Sequence, residues 1–211
     1  MALSSAQWIR RVKPAVFLVC LVPALLLLRD AFTPGGLGVN PIETITHRTG
    51  DWALRFLLIS LAVTPVRWLT GWQLLIRFRR MWGLFAFFYA CLHLSTYVVF
   101  DHFFSVTAII DDVIERKYVT AGMFGFLMLL PLAVTSTQGW IRRLGRRWTT
   151  LHRLAYVAAA AGVVHFLWLV KISIFEPMIY GVILAVLLGA RVAKRYSSGV
   201  VGAARGLTPG S

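Results

Sequence analysis

Six blocks of apolar residues, at roughly 14–29, 51–70, 82–100, 118–137, 150–170 and 177–193, set the terms for any fold of this chain. Each is close to the ~20 residues that a helix needs to cross a bilayer. Backbone amides cannot be left unpaired in lipid, so such blocks are helices rather than open strands. Composition agrees, since 58% of the 211 residues are hydrophobic and only 14% charged, with a mean hydropathy of +0.73. A soluble domain carries about a quarter charged residues. The fold expected is therefore all-α and integral to the membrane, a six-transmembrane-helix bundle. Residues 1–196 form one domain and 197–211, rich in Gly, Ser and Ala, a flexible C-terminal tail.

The first block has a basic flank, Arg10-Arg11-Val12-Lys13, like a secretory signal. It runs into Arg29-Asp30-Ala31-Phe32 without a small-residue cleavage site, so it reads as a retained helix. The net charge of +14 invites a nucleic-acid reading, but its distribution points elsewhere. With the N-terminus inside, the inner side takes all of the 22 Lys and Arg except Arg29, Arg48, Arg55, Arg116, Lys117 and Lys171. The eight acids fall outside or at outer helix ends, leaving none expected within the membrane. This is the positive-inside pattern, with both termini inside. The basic excess is a topology signal and a contact for anionic lipid, not a nucleic-acid site. Cys20 and Cys91 sit in apolar segments outside any CxxC pattern. Thiolate zinc, Cys-rich iron–sulfur clusters and covalent haem are excluded with them.

An ionisable side chain inside a membrane helix is costly, and so a candidate for function. His93 lies in the third block and His165 in the fifth. Both blocks run from inside to outside. At 1.5 Å per residue His93 lies ~18 Å and His165 ~22 Å from the inner edge. Two imidazoles from different helices at one level suit a six-coordinate haem iron. An interhelical hydrogen bond is the alternative. The run Ala158-Ala159-Ala160-Ala161-Gly162 either makes room for a flat macrocycle or serves close helix packing.

His152 lies near the inner surface, ~20 Å from His165 along a straight helix, with the two side chains ~140° apart. No second histidine faces it from the third block. It binds a second haem alone, touches another cofactor, or sits among headgroups. His47 and His102 are expected in outer loops. A transporter using histidines as proton relays is the rival class. It calls for intramembrane acids and paired helix breaks, and neither is expected here.

The ordered motifs are more specific. Leu75-Ile76-Arg77-Phe78-Arg79-Arg80-Met81-Trp82 leads into Leu92-His93-Leu94-Ser95-Thr96-Tyr97. Leu144-Gly145-Arg146-Arg147-Trp148, Leu151-His152-Arg153-Leu154 and His165-Phe166-Leu167-Trp168 follow, with Ile45-Thr46-His47-Arg48-Thr49-Gly50 upstream. From about residue 8 to 195 this resembles the MsrQ (YedZ) family, within the ferric-reductase-like transmembrane proteins. The resemblance implies a multi-pass protein of the bacterial inner membrane carrying haem b and FMN. It also implies haem-associated roles for His93, His152 and His165, with His93 and His165 on the iron. Electrons would come from quinone, or from a cytosolic flavin reductase, and go to a periplasmic MsrP-like molybdopterin enzyme that reduces methionine sulfoxide. The chain is then an electron-transfer subunit rather than the catalytic one. Its basic loops at 67–80 and 142–153 could hold an FMN phosphate or haem propionates. The acidic run Asp111-Asp112-Val113-Ile114-Glu115 could meet the periplasmic partner, or simply be solvated.

Overall fold

The structure, a computed structural model, describes residues 5–170 and 174–205, and every regular element among them is helical. Lys171, expected on the outer side, and residues 206–211 of the expected tail lie outside the described residues. Helix α1 spans Ser5–Ala31, α2 Pro41–Thr70, α3 Ile76–Thr96, α4 Val106–Glu115 and α5 Lys117–Val134. Then come α6 (Gln138–Leu144), α7 (Arg146–Leu151), α8 (Leu154–Leu169) and α9 (Phe175–Arg205). Helix α9 continues past residue 197, where the tail was expected to begin. Six helical stretches are long and apolar enough to cross a membrane, and the protein is a multi-pass membrane protein.

Three of the departures from the sequence expectation have a visible local form. The second span starts ten residues early because Asn40 caps it. Its side chain accepts the Glu43 N–H and donates to the Glu43 carboxylate, and Pro41 follows in the first turn. The fifth span is interrupted at His152–Arg153, between α7 and α8. Between the third and fourth spans the chain does not simply loop. It passes through a π-helical turn at Tyr97–Asp101, then Phe103 and Phe104 in the left-handed region, then α4.

The bundle is built on two antiparallel hairpins, α2 with α3 and α5 with α8, which make its most extensive contacts. They meet across a core that includes Leu54, Leu57, Leu61, Phe85, Tyr89, Ala158, Ala159 and Val163. Helix α9 packs on α8 and α2, and α1 lies lightly against α2 and α3. Lipid-facing positions such as Leu18, Val19 and Val186 are exposed and apolar, as in a chain whose solvent is hydrocarbon.

Candidate functional site

Helices α3 and α8, one from each hairpin, deliver His93 and His165 to one point across a shared cavity. Their ring centres are 6.0 Å apart and the planes 80° from parallel. Each ring is held from behind. His93 Nδ1 lies 2.9 Å from the Thr46 carbonyl, and His165 Nδ1 lies 2.6 Å from that of Tyr118. A carbonyl only accepts, so Nδ1 carries the proton and donates, leaving Nε2 as the metal-binding nitrogen of each ring.

The two halves repeat one design. In each, the accepting carbonyl lies 47 residues before the histidine, and a glycine follows that carbonyl by one helical turn. A Cβ on Gly50 would stand 3.0 Å from His93 Nδ1, and one on Gly122 would stand 2.7 Å from His165 Nδ1. Neither position tolerates a side chain without moving its ring. The two hairpins thus form a parallel structural repeat about an axis along the membrane normal, with the histidines facing each other across it. The sequence shows no such repeat, because little beyond the glycine and the histidine is shared.

Both histidines line a cavity of about 610 Å³ whose walls are largely apolar, with Gly122, Gly125, Ala158 and Gly162 among the small residues. Among the described residues no group of three or more His, Cys, Asp or Glu side chains converges on a metal site. The pair therefore fits a metal whose other ligands belong to a non-protein group. A metal–imidazole bond is about 2.0–2.1 Å and a ring centre lies roughly 1.2 Å behind its nitrogen, so two imidazoles across one metal stand about 6.4 Å apart. The observed 6.0 Å is close to that, and the small-residue walls leave room for a planar macrocycle.

The outer mouth of the cavity is polar. Asp112, 7% exposed, accepts from the Tyr97 hydroxyl at 2.9 Å and from Arg116 Nε at 2.7 Å. His102 Nε2 lies 3.3 Å from the same carboxylate. His47 and Asp51 also line the cavity. His47 was expected in a loop, but α2's early start puts it on a helix. Asp51, expected at an outer helix end, instead lies eleven residues into α2. Asp51 follows Gly50, whose backbone lies against the His93 ring, so it stands close to the level of the pair.

His152 does not join the other two. It caps α7, stacks on Trp148 at 3.8 Å, and its Nδ1 lies 3.0 Å from the Trp148 carbonyl. The break between α7 and α8 removes the straight helix on which the angle to His165 was reckoned. The offset that carries His93 onto His165 carries Arg80 onto His152, so the repeat supplies no facing histidine at the inner end.

Sequence reasoning took Asp112 for part of an acidic run facing a partner or solvent, whereas it is buried in this network, and it missed the roles of Tyr97, Arg116 and the two carbonyls. The carbonyls carry no residue-type signal at all. The glycines, each one turn from a carbonyl that holds a histidine, could have been found by aligning the two hairpins on their histidines.

The profile of a family described as "Ferric reductase like transmembrane component" matches residues 49–163, which contain the heart of both hairpins. The chain therefore belongs to the ferric-reductase-like transmembrane proteins. A protein of Herminiimonas arsenicoxydans is 50% identical over 86% of this chain and 84% of its own length. One from Rhodospirillum rubrum is 52% identical over 84% and 86%, and one from Xanthomonas campestris pv. campestris 55% identical over 77% and 74%. All three are named protein-methionine-sulfoxide reductase heme-binding subunit MsrQ, and within its family this chain belongs with the MsrQ proteins.

Proposed function

We propose that the chain is the haem b electron-transfer subunit of a methionine sulfoxide reductase system in the bacterial inner membrane. It passes electrons from the quinone pool to a periplasmic MsrP-like molybdopterin enzyme. The observation that carries this reading is the His93–His165 pair, 6.0 Å apart and facing a largely apolar cavity. The relatives' names supply the system.

A bound haem supplies a one-electron ferric/ferrous couple. The protein's part is to hold, orient and insulate. His93 and His165 would hold the haem iron through their Nε2 atoms. Thr46 and Tyr118 fix each tautomer and ring plane and raise the basicity of the ligating nitrogen. The walls keep water away, which helps set the potential. At the outer mouth Arg116, His102 and His47 offer donors that suit the propionates. The site's place in the outer half brings it near a periplasmic acceptor.

A second donor route, from a cytosolic flavin reductase through FMN, is supported by the inner face. There the arginines of the 67–80 and 142–153 segments share one end of the bundle with His152, which stacks on Trp148. Their charge suits an FMN phosphate, and also anionic lipid.

The test is the absorption spectrum of detergent-purified protein, oxidised and dithionite-reduced, for wild type, His93→Ala and His165→Ala. A Soret band with sharp reduced α and β bands, lost or weakened in both variants, is expected. Bands kept in both would move the ligands elsewhere. A colourless wild type after haem supplementation would end the electron-transfer reading.

A further inference from the structure

A second cavity of about 530 Å³ lies between α1 and α2 on the lipid side of the bundle. From α1 it is lined by Val22, Pro23 and Leu26, and from α2 by Arg48, Asp51 and Arg55, with Trp52 and Tyr89 behind. The opening is built into the fold. The Tyr89 hydroxyl donates to the Cys20 carbonyl at 2.9 Å and accepts the Ala24 N–H at 3.1 Å. It thereby inserts into the hydrogen-bond ladder of α1 beside Pro23, a recognised cause of a helix opening.

Most of the cavity is apolar, but its α2 side is not. Arg55 stacks over Trp52 at 5.1 Å, donates through Nε to the Tyr180 hydroxyl at 2.8 Å, and pairs through Nη2 with Asp51 at 3.4 Å. Nη1 of Arg55 has no acceptor among the described residues. An ion pair close to the level of the histidines, on a helix that crosses the bilayer, is costly and marks a site. Asp51 lines both this groove and the histidine cavity, and between them stands one turn of α2, whose Gly50 backbone lies against the His93 ring.

These features select the occupant. It enters from the bilayer, so it has an apolar tail. It meets Arg55 and Asp51, so its head both accepts and donates hydrogen bonds. It stops one helix wall from His93, where an electron carrier is useful and a structural lipid is not. We infer that the α1–α2 groove is the docking site of an isoprenoid quinol whose head lies between Arg55 and Asp51. This rests on the quinone pool being the electron donor. Oxidation of the quinol to the quinone releases two electrons and two protons. A haem held by His93 and His165 would accept these electrons one at a time, passing the first to the periplasmic acceptor before taking the second. The protons leave toward the outer face, at the Arg48 end of the groove. The electrons then travel within the outer half of the membrane.

The test uses the haem-loaded full chain and a decyl-substituted benzoquinol. Val22→Trp and Leu26→Trp fill the groove from lipid-exposed positions, 43% and 44% exposed, that touch neither histidine. Val182→Trp, 60% exposed on α9, is the control. Expected are at least a tenfold rise in the quinol concentration for half-maximal haem reduction in both groove variants, none in the control, and unchanged dithionite-reduced spectra. Wild-type half-saturation in both groove variants overturns the site while leaving the quinol donor standing. Wild type reduced by dithionite but not by quinol overturns the donor and the groove together. A photoreactive azidobenzoquinone reads binding without haem. Label on the α1 and α2 segments 19–27 and 48–55 is expected, and label confined elsewhere overturns the groove.

Discussion

At the residue scale, the site depends on atoms that hold imidazoles from behind. Nothing but backbone fits beside His165, because a Cβ on Gly122 would stand 2.7 Å from Nδ1. Gly122→Ala should therefore turn or push the ring off its carbonyl. Changes to the partners that orient a ligand cost on the order of 10–100-fold in affinity, and a loss of that size is expected in haem titrations of apo-protein. Gly50→Ala, with a contact of 3.0 Å, should lose less. Equal, undiminished affinity in both would mean the rings are not confined as described. His152→Ala should leave the α and β bands of the His93–His165 haem in place, since His152 shares no contact with the pair.

At the scale of elements, α4 decides how the outer mouth closes. Its buried Asp112 gathers the π-helical turn through Tyr97, the following loop through His102, and the start of α5 through Arg116. Arg116 is largely exposed, so this is not a fully buried ion pair and its strength is screened. Asp112→Asn keeps the shape but turns an amide toward groups that donate. A loss of about 1–3 kcal/mol is expected, read as a lower thermal midpoint in detergent, against no resolvable change for the exposed Asp111→Asn. Equal midpoints would show that α4 is not tethered through this carboxylate. The exposed Val106, Ile110 and Ile114 of α4 lie one turn apart and form the stripe of a helix resting at the lipid interface. The sequence block 101–117 gave no sign of this division of labour, because an acid reads the same whether it is solvated or buried.

At the scale of the whole molecule, the parallel repeat of two hairpins requires both histidine helices to run the same way through the membrane. A fluorescent protein fused after Arg205 should fold in the cytoplasm, and alkaline phosphatase inserted in the 32–40 loop should be active outside. The reverse result would invert the assignment of the electron exit. Span number and the shared level of His93 and His165 were legible in the chain, because hydropathy and a fixed rise per residue are local properties. Their convergence to 6.0 Å, the carbonyls and glycines behind them, and the outer network on Asp112 were not. Each depends on which faces of separate helices meet, and no residue records that by itself. The same holds for Asp51, which sequence placed at an outer helix end. An N-cap at Asn40 lengthened α2, and packing against α3 fixed its depth, setting an ion pair between two cavities. Sequence determined that this chain lives in lipid with costly histidines at one level. Tertiary structure decided what they face, because only packing brings together groups so distant along the chain.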